Sequence, residues 1–201
     1  MDDGYIKYRS ERLDGVVATS AMLDELNQIR TSLFDLSLIG VYPNGVGYGN
    51  LSVRTHNNQF IVTASATGGL RTLLNEHYCL VEEFSVDQNY VRSVGSFPAS
   101  SEAMTHGAIY AANPMVCCVM HVHCRPLFDY CLASGHLTTP ANIPYGTPSM
   151  AHAVSSLVAA QLTLPVLFAM AGHDEGIVAY GADCASTHTL LLNELRKSKA
   201  P

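Results

Sequence analysis

Residues 99–123 read Ala-Ser-Ser-Glu-Ala-Met-Thr-His-Gly-Ala-Ile-Tyr-Ala-Ala-Asn-Pro-Met-Val-Cys-Cys-Val-Met-His-Val-His. From about Ser101 to Ala112 the residues predict a helix. Asn113-Pro114 closes it, because proline disfavours helical backbone at the residue before it. Met115 to His123 then reads as a buried strand. Residues two apart in a strand share a face, so His121 and His123 stand side by side with ring nitrogens close enough to hold one metal ion. Glu102, just past two serines at the helix start, is a carboxylate that the fold can bring beside them. A divalent metal with a carboxylate next to it suits chemistry at a carbon next to a carbonyl.

Upstream, apolar residues at 22, 23, 26, 29, 33 and 36 step by three and four, which predicts an amphipathic helix from Ser20 to Leu38. Thr19 or Ser20 caps it and Gly40 stops it. Val41 to Asn50 is a glycine-rich loop. Leu51–Arg54 and Phe60–Thr63 pair as strands around Asn57-Asn58, and further strands fall near Cys79–Glu83 and Tyr90–Ser93. Downstream come a helix from Arg125 to Ala133 and a helix opening at Pro148 and reaching Leu162. Pro165–Ala169 pairs with Gly176–Tyr180 as a hairpin, and Asp183 caps a last helix to about Arg196. Residues 1–18 read as an irregular arm. Without repeats or linkers, residues 1–201 form one α/β domain, a three-layer α/β/α arrangement with a largely antiparallel central sheet.

A chain of 201 residues can bury a substantial core unaided. It is 48% hydrophobic and only 14% charged, which points to surface covered by other subunits and hence to a homo-oligomer. The net charge of −6, with no basic cluster beyond Arg196-Lys197, disfavours a nucleic-acid partner. The six cysteines (79, 117, 118, 124, 131 and 184) form no C-x-x-C pair and read as free thiols of a reducing cytosol. The acidic start Met1-Asp2-Asp3 is unlike a secretory signal. The longest strongly apolar stretch, Met115–Val122, is too short for a bilayer. The expectation is a cytoplasmic protein with no membrane partner.

Three motifs stand in order along the chain: Gly49-Asn50-Leu51-Ser52, then Thr67-Gly68-Gly69, then Ser100-Ser101-Glu102 followed by His121-x-His123. In that order and at those separations they resemble the class II aldolase/adducin family, which includes fuculose-phosphate aldolase and ribulose-phosphate epimerase. The resemblance covers roughly residues 20 to 195. It implies a divalent metal, zinc first, held by His121, His123 and a third, downstream histidine. Three protein ligands and an open position mark a catalytic site rather than a structural one. The family's third histidine directly precedes a glycine that opens a hydrophobic strand. Here that glycine is Gly176, its predecessor is Glu175, and the nearest histidine is His173. His173 is therefore preferred over His152 and His188, with Glu175 as a reserve oxygen ligand. An isolated His-x-His would read as a buried pair hydrogen-bonded in a sheet; Glu102 and His173 turn the reading to a metal. Cys117, Cys118 and Cys124 read as packing.

By the same resemblance, Asn50, Thr67, Gly68, Ser100 and Ser101 form a pocket for phosphate or a similar anion. Amide, hydroxyl and backbone N–H donors can bind an anion without lysine, and a helix start adds its positive end. Serines that only cap the helix are the alternative. Gly45-x-Gly47-x-Gly49 precedes a strand and is not a dinucleotide fingerprint. Where the family has a short Thr-Pro-Ser/Thr-Gly, this chain has Thr63-Ala64-Ser65-Ala66-Thr67-Gly68.

The activity implied is that of a metal-dependent lyase of aldolase type in carbohydrate metabolism. Its substrate is a small hydroxy-carbonyl compound or sugar phosphate, and the reaction passes through an enediolate. Glu102 moves the proton, its pKa raised by burial. Family aldolases draw a proton-donating tyrosine partly from a C-terminal tail, but the end here, Lys199-Ala200-Pro201, has none. Tyr145 is the candidate, with packing beside Pro144 as the equal alternative. Epimerase, dehydratase and decarboxylase share the metal site. An adducin-like assembly domain would need neither the carboxylate nor both histidines. Homotetramers are common in the family.

Overall fold

The structure is a computed structural model that describes residues 5–200. In chain order its elements are β1 (Arg9–Leu13), α1 (Ala21–Asp35), β2 (Gly40–Val41), β3 (Gly47–Tyr48), β4 (Asn50–Arg54), β5 (Phe60–Thr63), β6 (Tyr78–Ser85) and β7 (Tyr90–Val94). Then follow α2 (Ala103–Ala112), β8 (Cys118–His123), α3 (Arg125–Ala133), β9 (Leu137–Thr138), α4 (Pro148–Ala159), β10 (Val166–Ala169), β11 (Gly176–Gly181) and α5 (Cys184–Ser198). Among the described residues nine strands form one sheet in the order β1-β7-β6-β5-β4-β8-β11-β10-β9, and β2 and β3 make a separate hairpin. The sheet pairs antiparallel except at its two edges, where β1 runs parallel to β7 and β9 to β10.

Alternation along the strands divides the side chains between two layers of helices. Cys118, Met120 and Val122 of β8 pack with Leu26 and Leu33 of α1, Leu127 of α3 and Leu191 of α5. Val119, between them, packs instead with Ile109 of α2 and Val154 of α4. His121 and His123 are in phase with Val119, so both imidazoles emerge on the α2/α4 side. β8 lies between β4 and β11, and its six residues are all buried. The result is an α/β/α sandwich with α1, α3 and α5 on one face and α2 and α4 on the other.

Local signals set most boundaries. The Ser20 hydroxyl accepts from Leu23 N (3.2 Å) and the Asp183 carboxylate from Ser186 N (2.7 Å), each satisfying an orphan N–H at a helix start, a contribution of about 1 kcal/mol. Helix α1 ends at Asp35 rather than Leu38, because Ser37 turns to φ +58 before Gly40 is reached. Helix α4 ends at Ala159, leaving Leu162 exposed, and α2 begins only at Ala103.

Two expectations are corrected. Within the arm read as irregular, residues 9–13 form edge strand β1, while residues 1–4 lie outside the described residues. The loop from Val41 to Asn50 contains β3 and the end of β2, whose hairpin reaches the site below. No described helix is long and apolar enough to cross a membrane.

Candidate metal centre

Strand β8 delivers His121 opposite Asn50 of β4, and His123 opposite Gly176 of β11. His173 comes back to them from the turn between β10 and β11. That turn is tied by His173 N to Met170 O (2.7 Å) and by Gly176 N to His173 O (2.9 Å). Asp174 and Glu175 bulge outward, with Glu175 at φ +63. All three histidines are buried, and one ring nitrogen of each lies within 4.8 Å of the others. The Nε2 atoms of His123 and His173 are 3.1 Å apart, close to the roughly 3.3 Å that separates two nitrogens on one tetrahedral ion.

Burial holds all three imidazoles neutral at ordinary pH. It drives His121 well below the usual histidine range, reinforced by His123 and His173, and does the same to His173, reinforced by His123 and Lys7. His123 is pushed down to about 4, by burial. Neutral rings keep the lone pairs that a metal needs.

The buried Nε2 of His121 has no hydrogen-bond partner, as befits an atom kept for a metal. The Asn50 amide lies 3.3 Å from His121 Nδ1, and Asn50 Oδ1 is likewise buried without a partner. With that oxygen turned to the ring, Nδ1–H donates to it and the Nε2 lone pair is left for the ion. These donors fit a divalent metal. His152 and His188 lie outside the group: the first is exposed beside Asp87, and the second meets Ser32. Glu175, the reserve ligand, is outside it too, its carboxylate bonded to the Tyr42 hydroxyl.

A narrow cavity of about 20 Å³ opens among the three histidines, Glu102 and Tyr145. Glu102 is 2% exposed and is the last residue before α2. Its side chain does not cap the helix; Oε2 instead accepts from the Thr105 hydroxyl at 2.8 Å. Gly172 brings Tyr145 in. A Cβ there would run into the Ile143 carbonyl, so only glycine lets the 140–145 loop lie on the histidine turn. The Tyr145 ring stacks on His173, with centroids 4.3 Å apart, and the Lys7 ammonium sits 3.7 Å over its other face.

A larger pocket of about 210 Å³ adjoins, lined by Asn50, Thr67, Gly68, Ser100 and Ser101 together. Gly47, Gly49, Asn50 and Ser101 border both spaces, so the pocket and the histidine cavity share a wall. Ala64, Ser65 and Ala66, which stand between Thr63 and Thr67, form part of the pocket wall, and Ala64 pairs with Ala99 to join the two turns. At Gly68 a side chain would strike the Gly40 carbonyl, so the turn packs directly on β2.

Several supporting residues escaped the sequence reading. Buried Arg30 donates to the carbonyls of Thr67 (2.8 Å) and Leu70 (2.5 Å), fastening the pocket turn and placing a positive charge behind it. The Tyr8 hydroxyl is placed to donate to Ala99 O (3.1 Å) and Ser100 O (2.9 Å), pinning the serine turn. Tyr42 contacts His123. None carries a motif: each acts through backbone carbonyls or a partner remote in sequence.

The low histidine pKa values carry a consequence for stability. His106, fully buried on α2, is also pushed down, to about 3, by burial. When the folded pKa is depressed, the unfolded chain binds protons better. Stability is then complete above the unfolded value of about 6.5 and is lost as pH falls toward the folded value. Chelator-treated protein should lose stability between pH 6.5 and 5, above the carboxylate range, at a rate that approaches about 1.4 kcal/mol per pH unit for each such histidine as the unfolded imidazole becomes fully protonated. Urea melts across that interval measure it; a flat profile would mean that these imidazoles titrate freely.

A family model, the class II aldolase and adducin N-terminal domain, matches residues 44–192. No curated protein matches the sequence. Among solved structures the chain is similar to YgbL from Klebsiella pneumoniae, described as an aldolase, epimerase or decarboxylase (TM-score 0.64, 19% identity, covering 88% of this chain and 86% of that one). It is similar to l-fuculose-1-phosphate aldolase from Thermus thermophilus (TM-score 0.56, 19% identity, 90% and 97% covered). It is also similar to a sugar-phosphate aldolase from Thermotoga maritima (TM-score 0.61, 16% identity, 90% and 97% covered). At these identities what is shared is the fold.

Proposed function

We propose, from the premise that this chain belongs to the class II aldolase and adducin family, that it is a metal-dependent lyase of aldolase type, acting as one domain on a small hydroxy-carbonyl compound or sugar phosphate. The observation that carries the proposal is Glu102, buried in the wall of the same cavity as three convergent histidine nitrogens. His121, His123 and His173 would hold a divalent ion, zinc by its preference for such donors, and that ion would supply Lewis acidity where negative charge develops on the substrate.

The remaining work falls to the chain itself. Glu102 takes the proton whose loss lets the carbon–carbon bond break, and Thr105 orients the carboxylate by holding one oxygen. Tyr145, fixed between His173 and Lys7, returns a proton to the carbon released. Asn50, Thr67, Gly68, Ser100 and Ser101 bind the anionic end of the substrate, with the Arg30 charge behind the turn. The shared lining lets the carbonyl end reach the histidines while the anion stays in the larger pocket.

Epimerase and decarboxylase chemistry stands as the second reading, favoured by the likeness to YgbL. The low charged fraction supports assembly into a homotetramer, and the free cysteines support a cytoplasmic setting. The test is a screen of sugar phosphates and hydroxy acids with zinc-loaded protein whose assembly has been measured by sedimentation. Cleavage to a new carbonyl compound, abolished by chelator and restored by zinc, is expected. Inversion of a stereocentre without cleavage would make it an epimerase, and metal retention without any turnover would favour the assembly role.

A further inference from the structure

His123 is held from behind. Its Nδ1 lies 2.8 Å from the Tyr42 hydroxyl, and that hydroxyl donates to Glu175 Oε2 at 3.0 Å. A phenol has one proton, and a carboxylate can only accept. With the Tyr42 proton committed to Glu175, the oxygen lone pair faces His123, so Nδ1 must carry the hydrogen. The Nε2 lone pair is then turned toward His121 and His173. Arg125 approaches the other Glu175 oxygen at 3.3 Å and pairs with Asp174 as well, which fixes the carboxylate.

Both members of this chain sit on elements outside the main sheet. Tyr42 lies in the β2–β3 hairpin, and Glu175 is one of the two residues between His173 and Gly176. Glu175 adopts φ +63, a backbone conformation costly for a residue with a side chain, and such outliers persist where the surroundings demand them. Here the conformation aims its carboxylate at Tyr42.

We infer that Tyr42 and Glu175 are positioning residues that fix the tautomer of His123, so that Nε2 is the nitrogen offered to the metal. The inference rests on the metal reading proposed above, but its first test needs no metal. In long-range proton–nitrogen NMR spectra of metal-free, nitrogen-15-histidine protein, His123 should appear as the Nδ1–H tautomer. Tyr42→Phe removes the acceptor and should populate the Nε2–H form. Glu175→Gln, whose amide both donates and accepts, should give an intermediate mixture.

Zinc affinity, read by competition with a chromophoric chelator, should fall about 10–100-fold in Tyr42→Phe and less in Glu175→Gln. Tyr42 is half-buried, so melting temperatures should stay near wild type. An unchanged tautomer in Tyr42→Phe overturns the relay, whether or not zinc affinity drops. A tautomer that shifts as expected in a protein that never binds zinc supports the relay and overturns the metal reading instead.

Discussion

Glu102→Gln should keep its metal content and melting temperature while turnover of any substrate found falls by roughly a hundredfold or more, the usual scale for a general base. Glutamine preserves the shape and can still accept from the Thr105 hydroxyl at the Oε2 position. It cannot take a proton at neutral pH. The competing reading, a carboxylate that caps α2, predicts a loss of about 1 kcal/mol in stability and unchanged chemistry. Geometry already argues against the cap, since the Glu102 side chain makes no capping bond and faces the histidine cavity. Metal content, melting temperature and rate on this one variant separate the two. A destabilised but fully active Glu102→Gln would remove the residue from the centre of the mechanism.

His121→Ala and His123→Ala should each take the protein from about one divalent ion per subunit to nearly none. Among the described residues only three side chains converge, so each deletion leaves a two-ligand site that cannot compete with water or buffer. His173→Ala is the most informative of the series, because His173 is the proposed ligand that the two-residue displacement from Gly176 made hardest to assign. Elemental analysis after dialysis reads all three. Full metal retention in His121→Ala and His123→Ala would sink the site, and retention in His173→Ala alone would move the third ligand elsewhere.

How much of this was legible from residues alone depended on how local the cause was. The caps at Ser20 and Asp183, the helix from Arg125 to Ala133 and the hairpin around His173 follow from spacing within a few residues. The phase of β8 follows as well, and with it the shared face of His121 and His123. Strand β1 was invisible because Arg-Ser-Glu-Arg-Leu has no apolar alternation: all five residues are exposed, and it joins the sheet through its backbone at an edge. Strand β9 is two exposed residues long. The five residues expected to hold an anion do line one pocket, but Arg30 behind it looked like any helix arginine. Tyr42 and Glu175 meet across 133 positions, and nothing in either neighbourhood announces the other.

The β2–β3 hairpin touches both halves of the site. Through Gly40 and Gly47 it abuts the Thr67-Gly68 turn of the larger pocket, and through Tyr42 it holds His123. Whatever occupies that pocket and whatever occupies the histidines therefore lean on one small piece of backbone. Thermodynamic linkage makes any such communication symmetrical: the factor by which an anion changes metal affinity is the factor by which the metal changes anion affinity. If the proposed anion and metal both bind, the hairpin is the piece of backbone that the two ends share.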